Sequence, residues 1–298
     1  MLGALMLFML LPLAGCFGSD SHPDTSKGDT KTSSDSSNNS SHNDDAVNDN
    51  ESGSESATNN SDSNGNDEGN NDAKDSTQSN EASQVPKTIK QARNATIAAL
   101  NTEAAISLPN DFPLSEGKYL TAQTHSEQWY YRATFYEVNQ PTKINASGAT
   151  NGNELATVEG TEYDDASAAR DSIKQYVEVT NTNTDLGHNI KAESDAGAGH
   201  SYIVWNEGNW AIKIDTPNDP IHKTDQFDTG TTLAKEIVSY LEENMLPAPK
   251  TRGVITIKAW KDQEETQIHW QNNAMTYQIT SPLAPLKALQ IAVSMKGI

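Results

Sequence analysis

Ile203-Val204-Trp205-Asn206-Glu207-Gly208-Asn209-Trp210-Ala211-Ile212-Lys213-Ile214 aligns without gaps on Ile268-His269-Trp270-Gln271-Asn272-Asn273-Ala274-Met275-Thr276-Tyr277-Gln278-Ile279, at a constant offset of 65. Each stretch alternates in polarity, breaks at a four-residue polar loop carrying Gly or Asn, and resumes, which predicts a β-hairpin seen twice. A side-chain period of two puts Ile203 with Trp205, and Trp210 with Ile212 and Ile214, on single faces. Such faces need cover, and a helical pattern follows each hairpin. Thr231 to Asn244 aligns Leu233, Ile237, Tyr240 and Leu241 and stops before Pro247. Pro282 to Met295 opens with Ser281 as cap and Pro282 in the first helical position, and closes at Gly297.

A looser third copy lies upstream, with strands at Lys118 to Gln123, Gln128 to Val138 and Leu155 to Gly160 feeding a helix over Asp164 to Val177. Ahead of it, Thr88 to Asn101 spaces Ile89, Ala92, Ile97 and Leu100 for one helix face. Three β-rich units, each closed by a helix, predict an α+β fold: mainly antiparallel sheets with covering helices and repeated β-hairpin–helix units. Hairpin links are too short for parallel crossovers. Residues 86–298 form the expected globular domain with internal repeats, 213 residues being enough for a sizeable core.

The chain before it has another character. Residues 17–85 hold 17 Ser, 12 Asn and 11 Asp, and 15 acidic side chains against 3 Lys give this segment −12 of the total −20. So few apolar groups cannot offset an ordering entropy of about 1–2 kcal/mol per residue, which predicts a long disordered tether. A flexible chain of this length has an end-to-end distance of roughly 45 Å, which self-repulsion extends. Asp62-Ser63-Asn64-Gly65-Asn66 has the alternating oxygen donors of a calcium loop, but Asp67 and Ala73 stand where such a loop needs Gly and Glu.

Leu2 to Leu13 is almost wholly Leu, Met, Phe and Ala, the apolar core of a signal peptide. About fifteen such residues rise roughly 22 Å as a helix, short of the ~30 Å hydrocarbon layer. The run ends Leu13-Ala14-Gly15-Cys16, which resembles the lipobox of bacterial lipoproteins. The resemblance implies diacylglyceryl transfer to the Cys16 sulfur, cleavage between Gly15 and Cys16, and a membrane partner held through that lipid. The expected organisation is a signal peptide at 1–15, the lipidated cysteine and acidic linker at 16–85, and the folded domain. Gly117-Lys118-Tyr119-Leu120-Thr121-Ala122, Trp205-Asn206-Glu207-Gly208 and Tyr240-Leu241-Glu242-Glu243-Asn244-Met245-Leu246-Pro247 make Pro109 to Ile298 similar to uncharacterised cell-surface lipoproteins of low-GC Gram-positive bacteria. That family implies location and fold rather than chemistry.

The 41 acidic against 21 basic side chains argue against a nucleic-acid partner, which wants a clustered basic face. One cysteine excludes an intrachain disulfide. Ser115-Glu116-Gly117-Lys118 matches the S-x-x-K of penicillin-binding enzymes, but neither S-D-N nor K-T-G completes it. The seven histidines form no H-x-H or H-E-x-x-H, so no metal and no cofactor is expected, and His200 and His269 read as half-exposed strand residues. Gly197-Ala198-Gly199 precedes a strand and reads as a turn rather than a phosphate loop. The acidic pairs Asp164-Asp165, Glu242-Glu243 and Glu264-Glu265 read as solvated faces, because sequence neighbours diverge where glycosidase carboxyls must converge.

The aromatics of one predicted strand remain. Alternation sends Trp129, Tyr131 and Phe135 to one face and Tyr130 and Tyr136 to the other, so Tyr130 and Tyr136 are the candidate ligand-facing aromatics. The expected function is a lipid-anchored protein on the extracellular face of the cell membrane, displaying a non-catalytic module for a cell-wall or surface ligand. An envelope hydrolase and a solute-binding protein are the alternatives.

Overall fold

The two hairpins form, and in the same register. Ile203 faces Ile214 and Trp205 faces Ile212 in one, while Ile268 faces Ile279 and Trp270 faces Tyr277 in the other, so cross-strand partners correspond pair by pair at the offset of 65. The polar loop is two residues rather than four in each, because the flanking residues pair: Glu207 with Trp210, and Asn272 with Met275. Gly208 and Asn273 take the turn's left-handed position at φ 55° in both.

The computed structural model describes residues 85–261 and 263–295. The expected signal peptide, its cleavage position at Gly15 and Cys16, and the expected linker up to residue 84 lie outside the described residues. The elements run α1 (Ile89–Ala99), β1 (Tyr119–Glu127), β2 (Tyr130–Val138), β3 (Asn153–Glu162), α2 (Ala166–Ser172), β4 (Thr184–Gly187), β5 (Ile190–Gly197), β6 (His200–Glu207), β7 (Trp210–Pro217), α3 (Gly230–Glu243), β8 (Gly253–Lys258), β9 (Glu265–Asn272), β10 (Met275–Ser281) and α4 (Pro285–Val293). The fold is a sheet-rich α+β arrangement, and all ten strands belong to one sheet, ordered β1-β2-β3-β10-β9-β8-β7-β6-β5-β4.

Sequence patterning anticipates mainly antiparallel sheets; the structure has a single sheet, antiparallel at every seam but β7–β8. The meander β8-β9-β10 is inserted between the other two, joining β3 through an antiparallel β10 and β7 through a parallel β8. The helix α3 supplies the crossover that a hairpin link cannot. In the sheet's middle, β8 reads Gly-Val-Ile-Thr-Ile-Lys, buried on both sides from Gly253 to Ile255 and open on one side at Thr256 and Lys258.

One face of the sheet carries the main core. Tyr131, Phe135, Val158, Ile212, Ile214, Ile255, Ile268, Trp270 and Ile279 point into it, and the buried sides of α1, α3 and α4 cover them. Helix α3 is capped by the Thr229 hydroxyl, which accepts from Thr232 N, and buries Leu233, Ile237 and Leu241 as its spacing predicts. Helix α4 starts three residues later than expected, with Pro285 rather than Pro282 in the first turn. Ser281 stays in β10, its hydroxyl donating to Leu155 O and accepting from Leu283 N.

Helix α2 is half as long as its pattern predicts. Asp165 caps it, but Ile173 is extended at its C-cap and Gln175 is left-handed at φ 64°, which ends the α-helix after two turns. It also lies elsewhere. Outward-facing Ala211, Val254, Gln271 and Thr276 are buried at one end of the sheet, on the side opposite the main core. There α2 packs on β9 and β10, and the stretch after it binds β6, with Val179 N donating to Asn206 Oδ1 at 2.8 Å. The remainder of that second face is left without a helix.

Candidate ligand-binding face

Strand pairing shows which side chains share the open face. Across β1, β2, β3, β10 and β9, the row His125, Arg132, Glu159, Gln278, His269 is made of direct cross-strand partners. Across β6, β7, β8 and β9 a second row runs Tyr202, Asp215, Lys258, Glu265. At ~4.8 Å per strand, β2 and β6 stand roughly 29 Å apart in the ladder.

The β2 end is organised by Glu159. Arg132 donates to Glu159 Oε1 from Nε and Nη2, both at 2.8 Å, and the Tyr130 hydroxyl donates to the same oxygen. Burial, then the hydrogen bond to Glu159, pushes the Tyr130 hydroxyl up to about 12, while Glu159 raises the Arg132 guanidinium. Arg132 lies 5.8 Å from the Tyr130 ring centroid. These side chains hold one another in place, so the ring of Tyr130 is presented by a fixed polar frame.

Alternation places Tyr130 and Tyr136 outward, as the sequence predicts, but not in one site. They occupy opposite ends of β2, about 20 Å apart at ~3.3 Å per residue. Both are half-exposed. Trp129 departs from the pattern: it sits in the β1–β2 turn, 46% exposed, rather than beside Tyr131 and Phe135 in the core.

A second aromatic group occurs near β6. The rings of His200 and Tyr202 stack at 6.1 Å and 15°, Trp260 leans on His200 at 4.8 Å, and Lys213 Nζ lies 4.8 Å from the Tyr202 centroid. His200 Nδ1 is 2.7 Å from Asp215 Oδ1, which orients the imidazole. Tyr202 was not singled out from the sequence; its spacing of two from His200 in a predicted strand is the signal that could have found it. Trp260, two residues beyond β8, falls outside every periodic segment and carries no signal of its role.

Comparison with known proteins leaves the site to its own geometry. No protein-family model, no curated protein and no solved structure matches this chain.

The face offers rings, hydroxyls and amides. Arg132 is ion-paired with Glu159 and Lys258 with Glu265 at 2.9 Å, His200 is hydrogen bonded to Asp215, and Lys213, Glu193 and Asp195 stand on the same face outside any ion pair among the described residues. Between the aromatic groups lie Gln278, Gln267, Thr256 and Thr280. The His200–Asp215 pair has the geometry of a base and its orienter, yet among the described residues no Ser, Thr or Cys side chain hydrogen bonds to His200. Ser115 and Lys118 of the S-x-x-K match go separate ways, to Glu137 and to Asn139. Among the described residues no group of three His, Cys, Asp or Glu side chains could hold a metal, and no helix is long and apolar enough to cross a membrane.

His269 sits mid-face, and burial lowers its pKa, only partly opposed by Glu159. The unfolded chain takes up a proton near pH 6.5 that the folded His269 refuses, so this residue makes stability fall as pH drops from about 6.5 toward the depressed value. His269→Gln removes that contribution. Thermal melts of wild type and variant are therefore expected to diverge from pH 7 to pH 5, the wild type losing more; parallel curves contradict the assignment. Glu207, raised by burial, acts in the opposite sense in both proteins and cancels in the comparison.

Proposed function

We propose that the protein is a lipid-anchored cell-surface module that binds neutral polysaccharide on the open face of its sheet. The observation that carries the reading is the run of aromatic rings, hydroxyls and amides across the open face, with Arg132 held by Glu159 and Lys258 by Glu265. A sugar presents an apolar C–H face that stacks on an aromatic ring and hydroxyls that bond to amides and carboxylates, and it brings no charge. A polyanion is the poorer partner for a chain of net charge −20.

The test is retention of the full chain on insoluble neutral glucan and chitin. Removing one stacking ring at about 1.4 kcal/mol corresponds to about tenfold in affinity. Tyr202→Ala and Trp260→Ala are each expected to weaken retention to that extent, and undiminished retention in both variants contradicts the proposal.

The anchor rests on Leu13-Ala14-Gly15-Cys16, and two acyl chains at about 0.8 kcal/mol per buried methylene give durable attachment where one does not. The acidic linker then serves as a stalk between membrane and module. Metabolic labelling with a fatty acid is expected to tag the wild type and leave Cys16→Ala untagged; a tagged variant overturns the anchor. The repeat reading belongs to the same proposal. Three meanders, β1-β2-β3, β5-β6-β7 and β8-β9-β10, are each followed by a helix, and the shared register at offset 65 supports duplication of the last two.

A further inference from the structure

The two hairpins of matched register end differently. In the β9–β10 copy, the core-facing Thr266 and Ser281 are 1% and 0% exposed, and only residues 282–284 separate the strand from α4. The corresponding positions of the β6–β7 copy are Ser201 and Thr216, which face the same way. There, residues 218–229 lie between strand and helix. The start of α3 still reaches the sheet at Gly230, where a Cβ would stand 3.1 Å from Thr216 Oγ1. Beside that contact the added loop roofs a cavity of about 160 Å³ instead of filling it.

The lining is of two kinds. Ile203 and Phe227 supply an apolar wall, while Ser194, Ser201, Thr216 and Asn218 supply hydroxyls and an amide. The Ser201 hydroxyl bonds to Asn218 Oδ1 at 2.6 Å, tying the sheet to the loop. Core-facing positions elsewhere on these strands are filled by Trp205, Ile212 and Ile214, so small polar residues here remove volume and add hydrogen-bonding groups at the same time. Lys223 and Asp228, both exposed, also border the cavity and balance in charge. At about 10–15 Å³ of such space per water-sized position, the volume suits a ligand of roughly ten to fifteen non-hydrogen atoms. Below the usual span of drug-sized pockets, neutral, hydroxyl-lined on one side and apolar on the other, it fits a single sugar ring.

We infer that this cavity is a binding site for one neutral monosaccharide, created by the extra loop of the second hairpin–helix unit. It opens on the core side of the sheet and does not depend on the polysaccharide-binding reading of the opposite face. The experiment is saturation-transfer NMR and calorimetry of the full chain with free glucose, galactose and N-acetylglucosamine, alongside acetate as a charged probe. At least one sugar is expected to bind with 1:1 stoichiometry. Thr216→Ile, which fills the cavity from β7, should weaken binding at least tenfold. Ser194→Val, on the half-exposed β5 side, should weaken it severalfold with an unchanged melting temperature, which guards against a folding defect in the first variant. Trp129→Ala, in the exposed β1–β2 turn, should leave it unaltered. No sugar binding by the wild type, equal binding by both cavity variants, or binding of acetate alone overturns the site.

Discussion

Trp270→Ala is expected to cost about 3–5 kcal/mol, the range for emptying a large aromatic from a close-packed interior. The side chain is 1% exposed, and its ring lies 5.5 Å from Tyr277 and 6.1 Å from Trp210, so no neighbour can close the hole without leaving its own place. For a domain of this size the melting temperature should fall by roughly 6–20 °C. Calorimetry checks it, with Tyr202→Ala as the contrast: that ring stands on the open face and its loss should cost no more than ~1 kcal/mol. Equal losses for the two variants would mean that the faces have been assigned wrongly.

The second large effect comes from adding one carbon. Gly160 on β3 lies opposite Tyr131 on β2, and a Cβ there would stand 2.3 Å from Tyr131 Cε1 and 2.8 Å from its hydroxyl. The ring cannot tilt away cheaply. It is fully buried, its hydroxyl donates to Ser107 O at 2.7 Å and accepts from Ser107 N at 2.9 Å, and those bonds tie the segment after α1 to the core. Gly160→Ala is expected to lose about 3 kcal/mol, the upper part of the overpacking range. The loss should shrink when Tyr131 is also replaced by Leu, because the two residues are directly coupled. An additive double variant contradicts the contact. Gly253 performs the same service for Trp210, whose Cε3 would meet a Cβ at 2.5 Å.

These two cases indicate what the sequence conveys and what it withholds. The pairing of Trp205 with Ile212 and of Trp270 with Tyr277 was legible, because a period of two and a gapless offset fix both face and register. The slot that Gly160 opens for Tyr131 was not, since the partners lie 29 residues apart and glycine in a strand announces only a close approach. Edge-to-edge assembly into one sheet was equally hidden. The β3–β10 and β7–β8 seams are made by backbone groups that every residue carries, and the short run of non-alternating apolar residues at Val254 and Ile255 in β8 is their trace in the sequence. Helix α2 shows local pattern losing to tertiary demand: Ile173 and Tyr176 keep helical spacing, but the chain leaves the helix there to run toward β6. At the candidate face, Tyr130 could be read from alternation, whereas its frame, Glu159 and Arg132, required knowing that β2 pairs with β3.

Binding and stability thus separate by face: rings on the core side should matter to melting, rings on the open side to ligand. Hydroxyl-radical footprinting of the full chain with and without bound neutral glycan reads this directly, since it reports side chains one by one. Protection of Tyr130, Tyr202 and Trp260, with Met245 at 73% exposure unchanged, is the predicted result. Unaltered labelling of the three rings in the presence of bound glycan, or protection confined to Met245 and its surroundings, contradicts the account.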